Sequence, residues 1–158
     1  LPPGEVGEII VNSACSLVEY NNLPEKTSET KKGDWLYTGD LGYFDEDGYL
    51  YIMDRKKDMI ISGGMNVYST EVENVLQKHD AVKEVAVIGF PDNDWGEIVT
   101  AVIIPKYSGV MEEEIDAFCR KNLAKYKRPK KIIFTDSFPL TRYGKIDKKA
   151  LRQSFLPI

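Results

Sequence analysis

Two cysteines, Cys15 and Cys119, and one histidine, His79, are all that this 158-residue sequence offers to a soft metal or a histidine mechanism. A Cys/His zinc cluster and a histidine-based catalytic triad are therefore excluded within the chain. So few thiols fit a reducing compartment, and a cytoplasmic setting is expected. No apolar run approaches the roughly 20 residues that a membrane span needs. No signal peptide is expected. The first residue is Leu1 rather than Met, so a fragment of a longer protein is expected. Aromatic residues are scarce where basic charge is densest. Within Arg120 to Arg152 only Tyr126 and Tyr143 sit among the basic residues, with Phe134 and Phe138 in the apolar stretch between, which leaves no stacking platform for a nucleic acid.

What is present has an ordinary soluble balance, 42% hydrophobic and 29% charged. The length suits one domain, or a small domain with part of another. The net charge of −4 is unevenly spread: residues 1–54 hold 3 Lys against 11 acids, whereas Arg120 to Arg152 holds 12 basic residues against Asp136 and Asp147. A composition break therefore falls near Asp54. The basic end faces either a polyanion, such as a phosphorylated small molecule, or plain solvent.

The stretch Asp54 to Glu73 organises the rest. A charged knot runs to Asp58, a short apolar strand covers Met59 to Ile61, and Ser62-Gly63-Gly64 makes a turn. Adjacent glycines permit positive φ and close approach of a ligand to the backbone. A helix opens near Thr70, where Thr70 and Glu73 have capping-box spacing. The residues read equally well as strand, tight turn and helix start with no further role.

Before this stretch, Val6 to Val11 reads as a strand and Asn21 to Asp34 as loop or short helix. Tyr43-Phe44 and Tyr49 to Met53 flank Asp45-Glu46-Asp47-Gly48, a hairpin with a four-residue turn. That turn lacks the further ligands of a calcium loop. Asp40, after a Thr-Gly turn, can accept both hydroxyls of a ribose, or can serve the turn alone.

Beyond it, Val72, Val75, Leu76 and His79 mark a helix face, and His79 reads as a helix-end surface residue rather than a general base. Val82 to Phe90 and Glu97 to Pro105 are β-branched strands around a Pro91-to-Gly96 loop. Glu112 to Leu123 is a helix with acids in its first turn and Ile115, Phe118, Cys119 and Leu123 on its apolar stripe. Cys119 on that stripe reads as core. Lys131 to Thr135 is a further strand. The order predicts a small α+β domain, a three-stranded sheet with two helices. Lys145 follows Gly144 in a polar loop. It is either an ordinary surface lysine or a cation carried into a neighbouring site to neutralise an oxyanion.

Four blocks stand in order: Tyr37-Thr38-Gly39-Asp40-Leu41; Gly48-Tyr49-Leu50 through Asp54-Arg55; Lys57-Asp58 through Ser62-Gly63-Gly64 and Glu71-Val72-Glu73; and Thr141 to Lys145 with Ile146-Asp147. Together they resemble the C-terminal part of the adenylate-forming superfamily of acyl- and aryl-CoA synthetases, peptide-synthetase adenylation domains and beetle luciferases.

The resemblance implies that residues 1–54 are the β-rich tail of a large N-terminal domain. Residues 55–158 would be a mobile lid domain with its hinge near Lys57. It implies roles as well. Asp40 would hold the ribose of ATP or AMP, with Arg55 and Asn66 as further nucleotide contacts. Lys145 would be the catalytic adenylation lysine and a nucleotide contact. Ser62, Gly63, Gly64 and Met65 would line the coenzyme A channel, with Trp95, Lys127 and Arg128 toward its nucleotide end. ATP, Mg²⁺ (held mainly by the missing N-terminal part) and coenzyme A are the implied cofactors. A small carboxylic acid is the implied substrate, and a homodimer is left open. The implied activity is an AMP-forming acid–CoA ligase, with this piece alone expected to be inactive. The family's Pro-Lys-Gly phosphate loop and acyl pocket are absent from these residues, so fatty, aryl and short-chain acids all stay open. A carrier-protein thiol is the alternative acceptor, and a basic nucleic-acid-binding module the remote one.

Overall fold

The computed structural model describes residues 1–155. The chain forms two compact units, Leu1–Lys57 and Asp58–Ile158. The first unit is an antiparallel sheet built around one long strand, β3 (Trp35–Phe44). It pairs with β1 (Gly7–Asn12), with the two-residue β2 (Lys31–Lys32) and with β4 (Leu50–Arg55). A short helix, α1 (Pro24–Thr30), starts on Pro24, where the missing N–H costs nothing. The expected hairpin joins β3 to β4 with Phe44 opposite Leu50. Asp45 closes its turn: one carboxylate oxygen accepts the N–H groups of Asp47 at 3.0 Å and Tyr49 at 2.8 Å. Leu41 is the one buried large hydrophobic residue among those described in this unit, whereas Phe44, Leu50 and Ile52 are exposed.

The second unit carries the core. Its strands are β5 (Ile60–Ser62), β6 (Met65–Val67), β7 (Val82–Asp92), β8 (Gly96–Pro105) and β9 (Lys131–Phe134). Its helices are α2 (Ser69–Leu76), α3 (Glu112–Asn122) and α4 (Lys148–Ser154). The three strands expected from the sequence are its centre: β7 pairs antiparallel and β9 parallel with β8. The sheet is nevertheless five-stranded, because the hairpin β5–β6 joins β8 where Ser62 meets Gly96. A run of three residues gives little periodicity to read, so its pairing is a tertiary outcome. The helix count also differs. Asp147 accepts the Ala150 N–H at 3.0 Å and so caps α4, which the sequence reading passed over.

Both faces of the β7–β8 ribbon are covered. Val85, Val87, Val99 and Ala101 point to one side, against Val72 and Leu76 of α2 and Ile115 and Cys119 of α3. Ala86, Ile88, Val102 and Ile104 point to the other, against Phe138 and Leu151 of α4. Strand alternation thus feeds two apolar layers, and each buried branched side chain contributes about 1.5–3 kcal/mol.

Helix α2 departs from its expected cap. It begins at Ser69 with Tyr68 as N-cap, so Thr70 lies inside the first turn. Glu73 instead sends its carboxylate to the Val87 N–H at 2.7 Å. The edge of β7 offers a backbone donor there, and the charged acceptor satisfies it. His79 sits past the helix end and is half-buried rather than on the surface. It lies edge-on to Phe118 at 4.8 Å and accepts the Ala81 N–H at 3.2 Å. The loop after β7 is shorter than expected. Pro91 and Asp92 stay in the strand, and Asp92 accepts the N–H groups of Asp94 and Trp95, each at 3.0 Å. Among the described residues no helix is long and apolar enough to cross a membrane.

Candidate functional site

Each unit carries its own part of the expected constellation. In the first, Asp40 and Arg55 are direct cross-strand partners, and their side chains meet with Nε 3.0 Å from Oδ1. Thr38 donates its hydroxyl to the Ile9 carbonyl at 2.8 Å while accepting the Asp40 N–H at 3.1 Å, so the turn before Asp40 is braced. Behind the pair, Asp54 is buried and accepts the Arg55 N–H at 2.8 Å. Arg55 is more than half exposed, so this ion pair adds little to stability by itself. What it provides is a held carboxylate beside a guanidinium, a polar pair suited to a sugar hydroxyl and a phosphate. A shallow depression of about 280 Å³ lies beside it, lined by Gly39, Arg55, Lys56 and Lys57. Lys57 is exposed in a turn and is the last residue of this unit.

In the second unit, Ser62, Gly63, Gly64 and Met65 form one hairpin corner. Ser62 pairs with Met65 across a two-residue turn, with φ of +57° at Gly63 and +79° at Gly64. Such a turn needs positive φ at both centres, which is why two glycines stand there. Three consecutive residues of the β7–β8 corner hold it. Trp95 accepts the Gly63 N–H at 2.9 Å, Gly96 pairs with Ser62, and Glu97 accepts the Ile61 N–H at 3.0 Å. The half-exposed Trp95 indole lies so close to Gly63 that an added Cβ would stand 2.5 Å from its ring. Lys130 places its ammonium over the same ring. Trp95 therefore lies against the glycine corner itself, and Asn66 follows on β6, exposed.

Lys127 and Arg128 do not present free charge at that corner. Lys127 holds both carboxylate oxygens of Glu71, at 2.6 and 2.7 Å. Burial lowers its pKa, and the Glu71 carboxylate more than offsets this, so the net shift is upward. Arg128 closes the end of α3, donating to the carbonyls of Leu123 at 3.0 Å and Arg120 at 3.2 Å. The cation beside Trp95 is Lys130, which sequence reasoning missed; nothing in its spacing sets it apart from its basic neighbours.

Lys145 sits on a separate tip. Thr141 N–H donates to the Lys145 carbonyl at 2.7 Å, Gly144 N–H to the Thr141 carbonyl at 2.9 Å, and Lys145 N–H to the Thr141 hydroxyl at 3.2 Å. Leu140 and Ile146 bridge below. The backbone of the tip is therefore fixed while the lysine is exposed, with no ion-pair partner among the described residues. Ile146 packs in the α4-side cluster, whereas Ile60 and Val67, which flank the glycine corner, pack in the α2/α3-side cluster. The cationic tip and the glycine corner thus hang from opposite faces of one sheet. Cys119 is core, and burial pushes its thiol up to about 11.

Comparison with known proteins fits this arrangement. The AMP-binding enzyme C-terminal domain family matches residues 71–145. A long-chain-fatty-acid–CoA ligase, FadD13 of Mycobacterium tuberculosis, is 48% identical over 149 residues, covering 94% of this chain and 30% of the relative. The o-succinylbenzoate CoA synthetase MenE of Bacillus subtilis, solved with its acyl-adenylate intermediate, superposes with a TM-score of 0.89 at 39% identity, over 96% of this chain and 31% of that one. ATP-bound MatB of Rhodopseudomonas palustris gives 0.89 at 41% identity, over 98% of this chain and 31% of its own. The chain thus spans about a third of the length of these relatives. Residues 71–145 thus match the AMP-binding enzyme C-terminal domain family, and nearly the whole chain is similar to about the last third of acid–CoA ligases of the adenylate-forming superfamily.

Proposed function

We propose that the chain is the C-terminal part of an ATP-dependent acid–CoA ligase, with residues from about Asp58 forming a lid that pivots near Lys57. In the first half-reaction a carboxylate oxygen attacks the α-phosphorus of ATP, the bond to the β-phosphate breaks, and pyrophosphate leaves. Two anions must meet, so a cation placed where charge concentrates lowers the barrier. Lys145 is that cation. In the second half-reaction a thiol gives up its proton, its sulfur attacks the acyl carbon, and AMP leaves. The glycine corner then lines the thiol's approach, with open space at Gly64 and the Trp95 ring against Gly63 to border the pantetheine arm. Asp40 and Arg55 hold the nucleotide ribose and phosphate through both steps.

The observation that carries this reading is that an exposed, unpaired lysine and the Gly63-Gly64 corner lie on opposite faces of one sheet. A swing about the chain between the two units exchanges one for the other. The sparse core of residues 1–57 also fits, since a sheet with one buried large hydrophobic residue needs a larger body to pack against. Among the described residues no cluster of His, Cys, Asp or Glu is built to hold a metal. The magnesium that accompanies ATP is thus assigned to the phosphates and the rest of the protein, and no step here runs through it. Free coenzyme A is the favoured acceptor, since the relatives FadD13 and MenE are named for that acceptor, and residues outside this chain choose the acid.

The test is Lys145→Ala in the full-length enzyme. Exchange of pyrophosphate into ATP should fall about 10²- to 10³-fold, the cost of removing one charge-stabilising group. Thioester formation from supplied acyl-adenylate should stay within about threefold, since in that step the lysine tip faces away. Equal losses in the two half-reactions would refute the assignment.

A further inference from the structure

The cluster that the reading above leaves unused is the one around Lys148. Its ammonium reaches the Ser69 hydroxyl at 2.8 Å and Glu73 Oε1 at 2.7 Å, and the same oxygen accepts the Val87 N–H. Lys148 and Glu73 side chains are only 18% and 20% exposed, so the pair is largely withdrawn from water. One carboxylate oxygen therefore joins α2, the edge of β7 and the first residue of α4. Asp147, the residue before, caps α4 through Ala150 and donates its own N–H to the Pro139 carbonyl at 2.8 Å, at the base of the Lys145 tip.

We propose that Lys148 and Glu73 are positioning residues that aim the Lys145 tip for adenylation. The proposal rests on Lys145 being the adenylation cation. The apolar contacts of Phe138, Ile146 and Leu151 already hold this segment on the sheet. Such contacts are non-directional and allow α4 to rotate or slide. The charged clasp removes that freedom at the one helix turn that adjoins the tip, three residues from Lys145. An error of about 1 Å in placing a catalytic group can cost on the order of 10²-fold in rate.

The experiment uses full-length enzyme carrying Lys148→Met, Lys148→Arg or Glu73→Gln, the last of which keeps an acceptor for Val87. Lys148→Met and Glu73→Gln should lower kcat for ATP–pyrophosphate exchange roughly 10- to 100-fold, with KM for ATP and thioester formation from acyl-adenylate within about threefold. Lys148→Arg should restore exchange to within about fivefold, because it restores the charge and a donor. Because Lys148 acts through Lys145, adding Lys148→Met to Lys145→Ala should cost nothing further. Equal loss in both half-reactions, or full additivity in the double variant, would overturn the proposal by making the clasp a stability feature. Normal exchange in Lys148→Met while Lys145→Ala is impaired would also overturn it, leaving the parent reading intact. Normal exchange in Lys145→Ala would bring down both. Were Lys148→Met to misfold, Glu73→Gln and Lys148→Arg would decide alone.

Discussion

The glycine corner allows a comparison between two adjacent, chemically identical changes. Gly63→Ala and Gly64→Ala both place a side chain at positive φ, +57° and +79°, which costs about 1–2 kcal/mol each. Their surroundings differ. Around Gly64 a Cβ meets nothing within 4 Å, whereas at Gly63 it would stand 2.5 and 2.7 Å from Trp95 ring atoms. The indole must move. Doing so strains the Gly63 N–H bond to the Trp95 carbonyl, a loss of about 1 kcal/mol. It also separates the ring from Lys130, about 0.5–1 kcal/mol at an exposed site. Gly64→Ala should therefore cost about 1–2 kcal/mol and Gly63→Ala about 2.5–4 kcal/mol. Urea unfolding of this chain in a Trp35→Phe background isolates the Trp95 fluorescence, and the difference appears in the midpoint at constant slope. In a Trp95→Ala background, followed by circular dichroism, the added cost of Gly63→Ala should fall toward that of Gly64→Ala, because the clash disappears. Equal costs for the two single variants would refute the claim that Trp95 seats on Gly63.

Two further outcomes are expected. Asp40→Ala should change stability by less than about 1 kcal/mol, since the Arg55 pair is exposed. In the full-length enzyme it should weaken nucleotide binding about tenfold or more, measured by titration calorimetry, through two lost ribose hydrogen bonds. Cys119 should resist alkylation in the native chain at pH 8 while Cys15 reacts, and both should react after unfolding. Burial holds the Cys119 thiol at about 11 against an ordinary 9.0. The folded state keeps its proton longer, so this group's contribution to stability is full below pH 9 and is lost as pH rises toward 11. Cys119→Ala should flatten that alkaline decline in a pH series of urea midpoints.

Much of the α+β order was legible because β7, β8, α2 and α3 are long enough to show a period. Val85 to Ile88 and Ala101 to Ile104 are continuous apolar runs because both faces of those strands are buried, and runs of that length read as strand even without alternation. The Thr-Gly-Asp turn and the glycine corner were legible as motifs, because residue type alone restricts what a Thr-Gly-Asp or Gly-Gly turn can do.

The sequence by itself determined the element order, the turn chemistry and which residues can carry charge or bare backbone to a nucleotide. Only the tertiary structure decided where each charge is spent. Lys127 and Arg128 look as free as Lys145 in the chain, yet one is bonded to Glu71 and the other closes α3, while Lys145 stays open. It also brought the Glu73 carboxylate to the edge of β7. An ion pair between residues 75 positions apart, such as Glu73 and Lys148, leaves no periodic trace, because its partners are chosen by the sheet that brings them together.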